Sequence, residues 1–368
     1  MTSEIEGVDI ILDLGKATVP AYYDLQNLRI SSSHRVRDIV RRKIMGIPMS
    51  TPERKKETKT FDEKFKDKNI VGYLDDMFKK GQITDNERRY LFDMINVVNG
   101  LKKQENSYKK LMEQYLMKEE IWHAWLKNVR GIGEVIAANL VNKFGYCEVI
   151  VWDKKENVMY ARETGDEKKL AKGLQLVMED GKRYKQTGFF SVNHLNSYCG
   201  MDVTKDGVAT RAMKGVKSHF DRDAKQICFK ISESFKKQRS QPYRDIYDVA
   251  KAGYLDRVYE PGVLYEKYGK GYKSETTKQY KREDTKLILG HAGRMALRKT
   301  AKIFLQHYWT VSRQLKGLST EPPFIIKNDM KHTHYISPPN IPESLQPFDC
   351  YKEGHGSTLR GKEYTKKV

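Results

Sequence analysis

The residues Arg130-Gly131-Ile132-Gly133, with Glu134 following, have the types and spacing that bind an anion. Two glycines flank one apolar residue. Glycine adopts backbone angles that other residues resist, and it puts no Cβ in the way of an approaching ligand. A helix beginning at Glu134 would turn its free N–H groups and the positive end of its dipole toward a phosphate. Ile132 is expected to plug the turn into a core, with Arg130 and Lys143 adding charge at the rim. Such contacts address the backbone of a nucleic acid and are independent of base sequence. Other constellations carry less. His332 and His334 are spaced as HxH and could join His291 or His307, but no third and fourth ligand follows from spacing, so no metal is expected. Tyr268-Gly269-Lys270-Gly271-Tyr272 has the glycines of a nucleotide loop without a preceding strand or a following GK[ST], and reads as a flexible basic loop. His194, Tyr198 and Cys199 read as core or turn residues rather than a Cys–His nucleophile pair.

The frame around the glycines is what makes the first arrangement informative. Ile121, Trp122, Trp125 and Leu126 precede the turn at helical spacing, and Val135, Ala138, Leu140 and Val141 follow it. This is a helix–hairpin–helix pattern, with Ala137-Ala138 allowing close packing of the two helices. An ordinary helical hairpin with a tight glycine turn is the competing reading. Helical periodicity continues through most of the chain: 20–45, 71–80, 87–118, 191–198, 213–237, 243–257 and 284–316, with a polar helix over 166–181. Met94, Val98, Leu101, Glu105, Tyr108, Met112 and Tyr115 form a heptad seam, which suits either packing within the chain or a homodimer through residues 87–118. Residues 146–163 alternate on both sides of Lys154–Asn157 and predict a β-hairpin insertion. The expected fold is mainly α: a helical bundle with a helix–hairpin–helix and that small hairpin.

Charge selects the class of partner. The chain of 368 residues has 68 Lys+Arg against 48 Asp+Glu, a net charge of +20. The excess is clustered: 12 basic and 6 acidic residues over 35–68, 10 and 4 over 204–239, and 11 and 3 over 267–302. Tyr265, Tyr268, Tyr272 and Tyr280 interleave the third cluster, an arrangement that pairs phosphate contacts with stacking on bases. Aromatic residues at 11% argue against wholesale disorder. No apolar run reaches the length of a membrane span, and the acidic N-terminus is unlike a signal peptide. Cys147, Cys199, Cys228 and Cys350 are too far apart for a zinc ribbon or a disulfide scaffold. A cytoplasmic or nucleoid-associated protein binding a polyanion is the expectation, with DNA as the first candidate.

Downstream of the glycine turn come Phe189-Phe190-Ser191-Val192 and His194-Leu195-Asn196-Ser197-Tyr198-Cys199-Gly200-Met201. This order resembles the C-terminal transposase domain of bridge-RNA-guided insertion-sequence transposases, whose hairpin reads PGIG and whose later segment reads LASYAGL. Gly290 to Lys299, continuing through Phe304, Leu305 and Trp309, is similar to a helix of archaeal and bacterial transposase-like relatives. The resemblance covers residues 119–316. It implies a DNA-binding scaffold for recombination in a mobile element. The family's N-terminal RuvC-like domain, with four metal-holding carboxylates, has no clear counterpart here. Asp9 and Asp13 sit in a strand-like VDIILDLGKATV and read as surface acids. The family's nucleophilic serine follows the SYxG segment; the corresponding stretch here, 202–211, holds Thr204 and Thr210 and no serine, and the next serine, Ser218, falls within helical periodicity. A hydroxyl needs an oriented base or nearby cations to attack. Arg211, Lys214, Lys217 and Arg222 supply cations that serve phosphate binding equally well.

The expected organisation is an N-terminal helical region with a long arm (1–118), a DNA-binding domain (119–345) and a charged tail (346–368). The expected DNA contacts are Arg130, Gly131, Ile132, Gly133, Glu134, Lys143, Arg211, Lys214, Lys217, Arg222, Arg294, Arg298 and Lys299. The expected ligand is DNA, branched or distorted DNA included, with RNA as an alternative. No cofactor is expected; Mg2+ enters only with an enzymatic reading. Two further readings stay open: an active strand transferase or nuclease with a hydroxyl nucleophile, and a chromatin-like coating protein or RNA-binding subunit.

Overall fold

The computed structural model describes residues 10–45, 70–153, 158–161, 189, 191–203, 207–212, 215–269, 280–318, 320, 336–342, 345, 358–359 and 362–363. The chain is mainly helical and divides into two compact units, Met1–Tyr115 and Leu116–Val368. The predicted polar helix at 166–181 lies outside the described residues.

The first unit is built from α1 (Ile10–Met45), α2 (Ile70–Lys79) and α3 (Asp85–Leu116, which crosses into the second unit). The strand-like reading of VDIILDLGKATV is corrected: the chain is helical from Ile10, and α1 runs through Pro20, where the sequence predicts a helix to begin. A short apolar run does not separate strand from helix by periodicity, and proline prefers a first turn without being confined to it. Asp13 therefore lies on a helix, and Asp9 is outside the described residues. Between α2 and α3, Thr84 and Glu87 form a capping box: the Thr84 amide donates to Glu87 Oε2 at 2.9 Å, and the Glu87 amide to Thr84 Oγ1 at 3.3 Å. Val36 and Val40 of α1 pack with Leu74 and Met77 of α2 and with Leu91 and Ile95 of α3. Farther along the α3 seam, Glu105 is buried and pairs with Arg29 of α1. The one charged seam position is thus matched by an arginine of the same chain.

In the second unit the short α4 (Glu120–Ala124) and a 3-10 turn (Leu126–Asn128) lead through residues 129–133 into α5 (Glu134–Phe144). Strands β1 (Ile150–Asp153) and β2 (Val158–Ala161) pair antiparallel, Ile150 opposite Ala161 and Asp153 opposite Val158. Then come α6 (Val192–Tyr198), α7 (Arg222–Gln238), α8 (Tyr243–Leu255) and α9 (Leu289–Leu315). Two residue pairs near the C-terminus, Thr358–Leu359 and Lys362–Glu363, also run antiparallel.

The axis of this unit is α9, which packs against α8, α7, α6 and α4. Its middle is aromatic: Phe304 stacks on Trp125 at 5.7 Å between ring centroids and meets Phe235 edge-on at 5.3 Å, while Phe235 stacks on Tyr243 at 4.1 Å. Its C-terminal half fastens the segment after α5 through three side-chain donors. Tyr308 Oη donates to the Gly145 carbonyl at 2.8 Å, Arg313 to the Cys147 carbonyl at 2.9 Å, and Trp309 Nε1 to the Phe189 carbonyl at 2.6 Å. Each satisfies a backbone acceptor that would otherwise be buried unpaired, which costs as much as a lost hydrogen bond.

Candidate nucleic-acid interface

The two glycines of the turn do different work. Gly131 has φ +96, and a Cβ there would lie 3.2 Å from Phe235 Cδ1 and 3.3 Å from Ser234 Oγ. Its missing side chain faces α7, not a ligand, and Ser234 Oγ donates to the Gly131 carbonyl at 2.6 Å. Gly133 is the exposed one, with nothing within 4 Å of where its Cβ would be. It stands at the N-cap of α5, and no side chain caps that helix. Ile132 is 5% exposed and plugs the turn as expected, and Arg130 beside it is exposed. Glu134, half-buried in the first turn, is engaged within the fold and places a carboxylate by the helix's positive end.

Lys143 does not sit at this rim. It lies ten residues beyond Gly133, about 15 Å along the helix at 1.5 Å per residue. There its Nζ pairs with Asp221 at 3.2 Å and with Asp223 at 3.5 Å. Asp221 also accepts from the Ala224 amide at 2.7 Å, capping α7, and from Tyr198 Oη at 3.2 Å. Burial pushes the Asp221 carboxyl up, and these hydrogen bonds together with the Lys143 charge hold it below the ordinary range.

The Ser197-Tyr198-Cys199-Gly200-Met201 segment is the end of α6 and the turn after it. Gly200 donates to the Ser197 carbonyl at 2.9 Å and Met201 to the Asn196 carbonyl at 2.8 Å, the paired bonds of a Schellman motif. Gly200 has φ +59, and a Cβ there would fall 2.8 Å from the ring of Phe220. Cys199 is fully buried, and its thiol is pushed well above its ordinary pKa by burial and by Cys228. That rules it out as a thiolate nucleophile.

The predicted helix over 213–237 begins only at Arg222, so Ser218 is in the preceding loop, not on a polar helix face. Its Oγ is buried without a hydrogen-bond partner among the described residues. Thr210 is 8% exposed, and its hydroxyl donates to the Asp202 carbonyl at 3.2 Å. Neither hydroxyl is presented to a substrate; Thr204 and Lys214 lie outside the described residues. Arg211, Lys217 and Arg222 are exposed.

The third basic cluster also changes in detail. Tyr280 is 6% exposed and lies 2.8 Å from His291 Nδ1 through its hydroxyl, with Tyr268 edge-on to the same imidazole at 4.6 Å. These two tyrosines serve a local core instead of stacking on bases, and Tyr272 is outside the described residues. The predicted helix from 284 starts at Leu289. Among the described residues no group of three or more His, Cys, Asp or Glu could hold a metal ion.

What the structure brings together is a set of cations on facing helices. Arg294, Arg298 and Lys302 recur every fourth residue on α9, and Lys225 faces them from α7. Arg294 is exposed. Arg298 donates to the carbonyls of Met201 and Asp202, and Lys225 to that of Thr210, with its ammonium 4.3 Å from the centre of the Phe220 ring. Burial and then the charge of Arg298 lower the pKa of both Lys225 and Lys302, and burial lowers that of Arg298 itself. The carboxylate that offsets them is Asp202, whose Oδ2 lies 2.9 Å from His219 Nε2. Burial raises the Asp202 carboxyl, and the nearby Thr210 hydroxyl and His219 imidazole bring it below its ordinary range. Lys299, half-buried, interacts within the fold. Sequence reasoning named Arg294 and Arg298 and missed Lys225, Lys302, Asp202 and His219. The fourfold spacing on α9 was a usable signal; the pairing with Lys225 was not, because it depends on how α7 packs on α9.

No family model, curated protein or solved structure matches the chain. No helix among the described residues is long and apolar enough to cross a membrane.

Proposed function

We propose that the second unit binds DNA through its phosphate backbone without reading base sequence, as the scaffold of a transposase- or recombinase-like protein. The observation that carries this is the start of α5: Gly133 exposed with open space at its Cβ position, no side-chain cap on the helix, and an exposed Arg130 one turn away. A first turn without a side-chain cap, a dipole end and a guanidinium there suit one phosphate. In this reading residues 119–145 are a helix–hairpin–helix and 150–161 a β-hairpin insertion, and Arg211, Lys217, Arg222 and Arg294 extend the backbone track. The resemblance to bridge-RNA-guided transposases supports the recombination part, and the net charge of +20 supports a polyanionic ligand generally. Strand transfer is not part of this reading: the Thr210 hydroxyl and the Ser218 Oγ are buried, and Thr204 lies outside the described residues.

The test is duplex affinity across several unrelated sequences for the wild-type chain, Arg130→Ala and Gly133→Val. Both positions are exposed and Gly133 has an extended backbone (φ −94, ψ 176), so neither change strains the fold. Each is expected to weaken every duplex alike by about tenfold, as befits a charged hydrogen bond worth about 1.5 kcal/mol or more. Unchanged affinity in both variants removes the hairpin from the interface; loss on one sequence only points to base readout. A footprint running unphased along any DNA would favour the coating role over recombination.

A further inference from the structure

A cavity of about 160 Å³ lies between α7 and α9. Buried Met201, Cys228, Leu297 and Ala301 form its floor, and exposed Ala209, Phe229 and Arg294 form its mouth. Most polar groups of its wall are taken up by the fold. Ser232 donates to the Cys228 carbonyl at 2.9 Å, Lys225 to the Thr210 carbonyl, and Arg298 to those of Met201 and Asp202. The surface left facing the interior is apolar. An apolar cavity of about 150 Å³ holds one benzene ring, so this one has room for a single phenyl or isobutyl group. A polar group placed there would give up water without a partner to replace it.

The mouth selects among occupants. The Phe229 ring, 53% exposed, continues the apolar floor outward. Arg294 is exposed and makes no ion pair among the described residues. The two walls also come from basic stretches of chain, with 10 basic and 4 acidic residues over 204–239 and 11 and 3 over 267–302. A second copy of this chain would bring those stretches against each other and be repelled. A nucleic acid would answer the charge, but the polar edges of its bases suit an apolar floor poorly. A polypeptide with one apolar side chain beside carboxylates answers both. Such anchors, seated in a pocket, carry much of the energy of protein interfaces.

We propose that this cavity docks an acidic segment of a partner protein, with one phenylalanine or leucine side chain on the apolar floor beside Phe229 and a neighbouring carboxylate on Arg294. The inference goes beyond the DNA reading and does not rest on it; the two share Arg294 alone.

The full chain is titrated calorimetrically with a blocked peptide that has a central phenylalanine and a pair of acidic residues on each side. Control peptides replace the phenylalanine by alanine, or the acids by lysines. The proteins are wild type, Ala209→Leu, Phe229→Ala and Arg294→Glu; all three positions are exposed, and thermal melting checks that each variant folds. The phenylalanine peptide is expected to bind wild type at least about tenfold tighter than the alanine peptide, the lower range for burying one such side chain. Ala209→Leu, which sets an isobutyl group at the mouth, and Phe229→Ala should each remove most of that margin. Arg294→Glu should weaken the acidic peptide about fivefold, the upper range for an exposed ion pair, and turn the preference toward the lysine peptide. A phenylalanine peptide no tighter than the alanine one on wild type, or a margin unchanged in both Ala209→Leu and Phe229→Ala, overturns the inference. With an indifferent peptide, self-association lost in Phe229→Ala assigns the face to a second copy, and duplex affinity lost in Phe229→Ala assigns it to nucleic acid; either result also overturns it. Duplex binding sensitive to Arg130→Ala is read separately, so failure of the peptide leaves the backbone reading intact, and failure of the duplex leaves this one.

Discussion

His307 lies fully buried on α9 between two partners, 2.8 Å from Tyr243 Oη through Nδ1 and 2.6 Å from the Ile336 carbonyl through Nε2. A carbonyl only accepts, so Nε2 carries the proton and Nδ1 accepts from the tyrosine; both ring nitrogens are satisfied by the neutral form. Burial lowers the His307 pKa to about 4 from its ordinary 6.5, against a smaller opposing effect of the Ile336 bond. The depressed value means that the unfolded chain binds this proton more readily than the folded one. Stability from His307 is then fully present above about pH 6.5 and is lost as pH falls toward 4. At 1.36 kcal/mol per pKa unit the loss from this one group reaches about 3 kcal/mol. His307→Gln can keep both hydrogen bonds without titrating. Urea unfolding at pH 7 and pH 4.5 should show wild type losing about 2–3 kcal/mol more than His307→Gln over that interval. Equal losses in the two proteins would mean that the imidazole is protonated while folded.

At the scale of elements, the glycine turn shows how a motif can be legible while its parts are misassigned. The apolar frame on both sides of Gly131–Gly133 predicted two helices and a plugged turn, and Ile132 is buried there. Spacing alone treated both glycines as openings for a ligand, because nothing local reveals that α7 passes behind Gly131. Gly131→Ala should therefore destabilise the fold by about 1–2 kcal/mol, the cost of a left-handed residue bearing a Cβ, with the contacts to Phe235 and Ser234 adding to it. Gly133→Ala should leave the melting temperature nearly unchanged, because its backbone is extended and the space is empty. Similar shifts in both variants would contradict this division of roles. Elements whose ends are set by local chemistry were legible to within a few residues: 191–198 was expected and Val192–Tyr198 is found, 243–257 expected and Tyr243–Leu255 found. Where a tertiary contact decides, the pattern misled. Helical spacing ran on upstream of α7, but Asp221, held by Lys143 and Tyr198, caps the helix at Arg222 and leaves Ser218 in a loop. The cation group on α7 and α9 was half legible for the same reason, since a stripe on one helix is visible in sequence and its facing residue is not.

Across the whole molecule, the excess of twenty positive charges cannot be counted as twenty phosphate contacts, because the fold uses some cations for itself. Arg29 pairs with Glu105, Arg88 with Asp75, and Lys143 with Asp221 and Asp223. Arg130, Arg211, Lys217, Arg222 and Arg294 are exposed. Backbone binding releases counterions, so the logarithm of duplex affinity falls with the logarithm of salt by about 0.9 for each phosphate neutralised. If those five residues make the contacts, the slope should be near −4 to −5, far below what net charge suggests. Removing one of them, as in Arg130→Ala, should reduce the slope by about one. Lys143→Met removes the same formal charge but a cation already neutralised by two aspartates, so it should lower stability and leave the slope unchanged. Titrations at several salt concentrations give both numbers. A slope that tracks formal charge, falling equally for Arg130→Ala and Lys143→Met, would show that the protein acts on DNA as a diffuse polycation and that the hairpin end is not a discrete contact.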